Sequence, residues 1–154
     1  WYLGDTYNLS IGQGYMLTTP IQIAQATAVF ANGGNLCSPL IKQDDRPNCT
    51  KMPMSNETLQ TVREGMKQAC DTGGTGWPFF EFSVKNKRVN VGCKTGTAES
   101  HGVGKPEPHA WFTVFAPFDN PEIVLTILVE NGGEGSTVAA PIAKELLTTY
   151  FEEN

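Results

Sequence analysis

Val91-Gly92-Cys93-Lys94-Thr95-Gly96-Thr97-Ala98-Glu99 is the stretch on which the fold turns. From Arg88 the chain alternates, with Val89, Val91 and Cys93 on one face and Asn90 and Lys94 on the other. A period of two predicts a strand leading into Lys-Thr-Gly. Residues 110–116 and 123–130 predict two more strands, and Pro117-Phe118-Asp119-Asn120-Pro121 between them is a tight turn, which makes that pair an antiparallel hairpin.

Helices are predicted on either side of these strands. Thr19 can cap the first, Pro20 fits its first position and Gln22 completes a Thr-x-x-Gln capping box. Ile21, Ala24 and Ala28 are its expected buried stripe, and Asn32-Gly33-Gly34 its left-handed stop. A second helix, capped by Ser55, runs to about Cys70 with Leu59, Val62, Met66 and Ala69 at spacings of three and four, and Asp71-Thr72-Gly73-Gly74 ends it. After a Gly-rich loop at 131–136, a closing helix carries Val138, Ile142, Leu146 and Tyr150, with Pro141 in its first turn. Residues 1–15 read as an ordered loop, and 75–86 as an aromatic-rich connection without periodicity. Helix, helix, three strands, helix is an α+β order: an antiparallel sheet with flanking helices, expected to form one unit over residues 1–154.

With 40% apolar and 18% charged residues in 154, the chain has the composition of an ordinary globular domain. A net charge of -5 argues against nucleic acid or anionic lipid as partner, since both need a concentrated basic face. The longest aliphatic run, at 123–129, is too short to span a bilayer. An opening on Trp1, without methionine or signal peptide, suggests a piece of something longer. Cys37, Cys49, Cys70 and Cys93 lack the C-x-x-C spacing of zinc sites, which leaves disulfides or free thiols. In an oxidising compartment the favoured pairs are Cys37 with Cys49, where Gly34, Pro39, Asp44 and Pro47 suggest an exposed loop, and Cys70 with Cys93. Four cysteines allow three connectivities, and both these and the free thiols stay open.

Acyl transfer needs an activated nucleophile, donors for the developing oxyanion and, for a carboxylate substrate, a positive anchor. Lys94 offers a compact cation, Thr95 and Thr97 offer hydroxyls at alternate positions, and Gly96 admits a close backbone. An exposed strand edge here could also pair with an extended peptide. Lys-Thr-Gly is one of three signatures of a penicillin-reactive serine site. The others are missing: Ser10, Ser38, Ser55, Ser83, Ser100 and Ser136 are followed three places on by Gln13, Ile41, Thr58, Asn86, Val103 and Ala139, never by lysine. No serine is followed two places on by asparagine. A phosphate-binding loop is disfavoured, because Cys93 stands where that loop needs glycine. His101 and His109 could in principle bind metal, and Glu99 and Glu130 could pair as acid and base, but solvated roles are expected of all four, with no metal and no cofactor.

Context sharpens these expectations. Gly4-Asp5-Thr6, Ser10-Ile11-Gly12-Gln13-Gly14, Thr19-Pro20-Ile21-Gln22 and Ala31-Asn32-Gly33-Gly34 precede Lys94-Thr95-Gly96-Thr97-Ala98-Glu99, and Ala110-Trp111-Phe112, Phe115-Ala116-Pro117 and Val129-Glu130 follow it. In this order the motifs resemble the C-terminal half of the transpeptidase domain of class B penicillin-binding proteins. The resemblance implies a partial serine β-lactamase-like fold and a peptidoglycan D,D-transpeptidase parent, whose serine attacks the penultimate D-alanine carbonyl of a stem peptide. It implies that the Thr97 amide is one oxyanion donor, and that Lys94 with the Thr95 and Thr97 hydroxyls holds the carboxylate of the D-Ala-D-Ala stem peptide or of a β-lactam. It places the serine and its lysine upstream, so the chain is expected to be inactive alone. Its parent is expected to be anchored at the extracytoplasmic face of a bacterial membrane, among cell-wall synthesis partners. Cys93 departs from the small residue, usually glycine, expected before the lysine. The competing expectation is a non-catalytic peptide-binding or scaffold module of the same fold.

Overall fold

The computed structural model describes residues 1–42, 46–100 and 107–154. Its main sheet contains β5 (Gly92–Ala98), β6 (His109–Ala116) and β7 (Ile123–Val129), antiparallel and in the order β5-β6-β7. The register sets Gly96 opposite Trp111 and Trp111 opposite Leu128. Because successive side chains on a strand point to opposite faces, β6 feeds two cores. Phe112, Val114 and Ala116 pack with Cys93, Phe79, Ala143 and Leu147, where the Phe79 and Phe112 rings stack at 5.3 Å. Phe115, on the other face, packs with Phe118, Met66 and Ala31. The predicted turn at 117–121 joins β6 to β7.

The helices begin where their caps predict. α2 (Pro20–Ala31) opens on Thr19, whose hydroxyl accepts from the Gln22 amide while the Gln22 side chain accepts from the Thr19 amide at 2.8 Å. α3 (Asn56–Cys70) opens on Ser55, which accepts from Thr58 N–H at 3.1 Å. Their faces are less predictable. In α2 the buried residues are Thr27, Val29 and Ala31, while Ile21 is 51% exposed. The buried set begins at Thr27, whose hydroxyl bonds Thr113 at 2.9 Å. In α3, Leu59 and Met66 are buried as expected, but so is Arg63.

α4 (Ala140–Glu153) departs further. A π turn, Gly135–Ala139, leads into it, Pro141 is its second residue, and it buries Ala140, Ala143 and Leu147. Ile142 and Leu146, expected inside, are 41% and 48% exposed. Ala140, Ala143 and Leu147 form the stripe that joins the core of Phe112 and Val114, and Ile142 and Leu146 fall on the stripe beside it.

Three segments correct the pattern-based expectations. Leu3–Ser10 is a helix, α1, not a loop; Asp5 caps it by accepting from Tyr2 N–H at 2.7 Å. Leu3, Tyr7 and Ile11 follow the helical spacing but are all exposed, and the turn residues Gly4, Asp5 and Asn8 among them mask the period. Residues 75–86 hold a 3-10 turn, Trp77–Phe79, and the first strand of a small hairpin, β3 (Ser83–Val84) with β4 (Lys87–Arg88). Lys85 and Asn86 close it at φ 49° and 61°, a left-handed pair normally signalled by glycine. Arg88 is spent on that hairpin, so β5 begins at Gly92. β1 (Asn35–Cys37) and β2 (Cys49–Lys51) form another antiparallel pair, with Cys37 bridged to Cys49 directly across it. Asp44 lies outside the described residues. Replacing Cys37 and Cys49 together by alanine is expected to lower stability by about 2 kcal/mol, read from the urea midpoint; an unchanged midpoint would contradict it.

Candidate functional site

β5 is an edge strand, and what holds it is unequal along its length. At the start Cys93 is fully buried and bridged to Cys70, the last residue of α3. At the end the backbone is open and engaged by one side chain. Gln13 Nε2 donates to the Thr97 carbonyl at 3.0 Å, and Glu99 N–H donates to Gln13 Oε1 at 3.4 Å. Alternate peptide groups of an edge strand face away from its neighbour. The two bonds to Gln13 therefore identify the outward set, which includes the N–H and C=O of Thr95 and Thr97. Lys94, exposed, reaches the same edge: Nζ donates to the Thr95 carbonyl at 2.6 Å.

This edge borders a groove of about 610 Å³. Lys94, Gly96 and Thr97 line it together with Gln13, Met16, Leu17 and Trp111. Among the described lining residues Lys94 is the single Lys or Arg, so it is the one positive anchor they offer an entering anion. Glu99 and Glu130 also line the groove and both are exposed.

Gly96 is thin for a physical reason. A Cβ there would lie 3.0 Å from Trp111 Cβ, and from the opposite face a Cβ on Gly135 would lie 2.1 Å from the Trp111 carbonyl and 2.6 Å from that of Gly96. The π turn thus rests on bare strand backbone. Gly135→Ala is expected to push it off β5 and cost about 2 kcal/mol, seen as a lower thermal midpoint; unaltered melting would show the contact to be slack.

The remaining candidates separate. Thr95 Oγ1 bonds Thr75 Oγ1 at 2.8 Å, and Thr97 is exposed. His109 Nδ1 accepts from Asn131 N–H at 3.0 Å, a role in the turn after β7. His101 lies outside the described residues, and among those described no group of three or more His, Cys, Asp or Glu could hold a metal. Gln13 and Thr75 received no role from sequence. A signal for Gln13 was present in its flanking glycines, Gly12 and Gly14 at φ 76° and 79°, which allow the tight bend that projects it. Thr75 gave none.

An antiparallel sheet whose edge carries Lys-Thr-Gly-Thr, with helices against both faces, is the fold of penicillin-reactive transpeptidase domains. The penicillin binding protein transpeptidase domain family matches residues 1–148, and the chain belongs to it. The peptidoglycan D,D-transpeptidase MrdA of Haemophilus influenzae is 32% identical over 177 aligned residues, covering 99% of this chain and 27% of that protein. A chain from a structure of a peptidoglycan synthase complex that coordinates polymerization and crosslinking superposes with TM-score 0.84 at 36% identity, covering 100% of this chain and 27% of that one. Penicillin-binding protein A of Mycobacterium tuberculosis, as its penicillin G acyl-enzyme complex, superposes with TM-score 0.73 at 27% identity, over 94% of this chain and 34% of that one. The chain thus spans about a quarter of the length of the curated relatives it matches.

Proposed function

We propose that residues 1–154 act as the C-terminal part of the transpeptidase domain of a peptidoglycan D,D-transpeptidase, and that β5 is its carboxylate-binding and oxyanion strand. One observation carries this: on the outer edge of β5 the Lys94 ammonium lies on the Thr95 carbonyl and a side-chain amide, that of Gln13, lies on the Thr97 carbonyl, so this edge, which borders a groove, accepts hydrogen bonds from outside its sheet and leaves the Thr95 and Thr97 N–H groups facing outward. The D-alanyl-D-alanine end of a stem peptide would lie along that edge as an added strand. Lys94 and the Thr95 and Thr97 hydroxyls take its terminal carboxylate, and the Thr97 amide donates to the oxygen of the penultimate carbonyl as it becomes an oxyanion. A serine outside this chain forms the ester with that carbonyl carbon while the bond to the terminal D-alanine nitrogen breaks, and the departing amine takes up the proton. An amine of a neighbouring stem peptide then displaces the serine, which recovers its proton. A β-lactam presents a similar carboxylate and carbonyl, so it enters at the same groups. The two disulfides suit an oxidising compartment, the extracytoplasmic side of a bacterial membrane. Among the described residues no helix is long and apolar enough to cross a membrane.

Two measurements test this. Incubated with a fluorescent penicillin, the chain is expected to carry no covalent label on a denaturing gel; a labelled band would place a nucleophile within it. Titrated with N-acetyl-D-alanyl-D-alanine, it is expected to bind weakly and reversibly, with the largest amide shifts at Thr95 and Thr97. Shifts confined to other surfaces, or binding indifferent to Lys94, would favour the scaffold alternative.

A further inference from the structure

Beyond the groups on β5, we infer that Thr75 is a positioning residue for the Thr95 hydroxyl, and that the Cys70–Cys93 bridge is the clamp that holds Thr75 in place. The inference rests on the proposed role of β5 as a carboxylate-binding strand. Thr75 lies in the turn after α3 and touches β5 through one polar contact, Thr75 Oγ1 to Thr95 Oγ1 at 2.8 Å. Either hydroxyl can donate while no ligand is bound. A carboxylate can only accept, so once it engages Thr95 the direction is decided: Thr95 donates to the anion and receives from Thr75. A hydroxyl that accepts one hydrogen bond donates a stronger one, so Thr75 sharpens the grip of Thr95 as well as fixing its rotamer.

The turn that carries Thr75 packs against a covalent link. It sits between Gly74 and Gly76, and Gly76 N–H donates to the Ala69 carbonyl at 2.7 Å. A Cβ on Gly76 would lie 2.7 Å from Cys93 Sγ and 2.9 Å from Cys70 Sγ, so the turn rests directly on the bridge sulfurs. A Cβ on Gly74 would lie 2.3 Å from the carbonyls of Gln68 and Ala69. The bridge joins the end of α3 to the residue immediately before Lys94, so one covalent link fixes both the Thr75 turn and the strand it serves. The Cys37–Cys49 bridge closes a separate hairpin, β1 with β2.

The test compares N-acetyl-D-alanyl-D-alanine affinity, by amide shift titration of the full chain, across five variants. Thr75→Val keeps the shape and removes the hydroxyl; it is expected to weaken binding roughly threefold to tenfold with an unchanged thermal midpoint. Thr75→Ser restores the donor and is expected to return affinity to within about twofold. Removing Cys70 and Cys93 together is expected to weaken binding in the same direction, and removing Cys37 and Cys49 together to leave it unaltered. Lys94→Ala separates the two proposals. Binding that depends on Lys94 but is the same in wild type and Thr75→Val overturns the role of Thr75 alone. Binding independent of Lys94, or no binding at all, overturns the role of β5 and this inference with it. Equal losses in Thr75→Val and Thr75→Ser also overturn it, because a packing defect rather than a missing donor would then be responsible.

Discussion

Lys94→Ala is expected to weaken the binding of N-acetyl-D-alanyl-D-alanine by roughly tenfold to a hundredfold, the range given by loss of one charge-assisted hydrogen bond worth about 1.5–3 kcal/mol. Lys94 is the single Lys or Arg among the described residues of the groove, so none of the others described there replaces its charge. Glu99 and Glu130 line the same groove, and once the ammonium is gone they leave an anion facing like charge. Stability should change little, by about 0.5 kcal/mol or less, because the side chain is exposed and buries nothing. The pairing is also solvent-facing, so affinity should fall as salt rises and the Debye length shrinks below about 10 Å. Amide shift titrations of wild type and variant at low and high salt measure both effects. An affinity that survives the substitution would mean that the carboxylate is held elsewhere.

Arg63→Ala is expected to have the largest effect on stability, a loss on the order of 4 kcal/mol. Arg63 is only 8% exposed, and among the described residues no carboxylate pairs with it. Its guanidinium donates through Nη1 to the carbonyls of Phe30 at 2.7 Å and Ala31 at 3.1 Å, and through Nη2 to the Phe118 carbonyl. It lies over the rings of Phe115 at 5.1 Å and Phe118 at 4.8 Å. Phe30 and Ala31 supply two of the terminal carbonyls of α2 that the helix itself cannot satisfy, and a cation is favoured at that end of the dipole. One side chain of α3 therefore fastens the end of α2 and the β6–β7 turn. Alanine leaves three acceptors without their donor and a void between two rings. Arg63→Lys should recover only part of the loss, since a single ammonium cannot reach acceptors in two directions as a planar fork does. Urea unfolding of the three proteins decides it; a variant within about 1 kcal/mol of wild type would mean that water replaces the guanidinium freely.

Much of the fold was legible because it is written in short-range chemistry. The starts of α2 and α3 follow from Thr19 with Gln22 and from Ser55, groups that bond within three residues of themselves. The β6–β7 hairpin follows from two strand-forming runs separated by the tight turn from Pro117 to Pro121. α1 reads as a loop because the turn formers Gly4, Asp5 and Asn8 interrupt the helical spacing of Leu3, Tyr7 and Ile11. The face of α4 is not legible in the same way: Ile142 and Leu146 are strongly hydrophobic, yet Ala140, Ala143 and Leu147 are the residues turned to the core. Arg63 gave no sign of burial, since its partners are carbonyls of residues 30, 31 and 118, which no local pattern connects to it.

The candidate site divides in the same way. From the order of residues alone came the Lys94-Thr95-Gly96-Thr97 strand and, through several motifs spaced in order along the chain, the family to which the chain belongs. Folding in three dimensions decided that this strand lies at the edge of its sheet, that its outward peptide groups are those Gln13 touches, and that Thr75 meets Thr95 above a disulfide. These facts depend on which element comes to rest beside which, a choice made by burial and steric fit across the whole chain, and no window of neighbouring residues contains it.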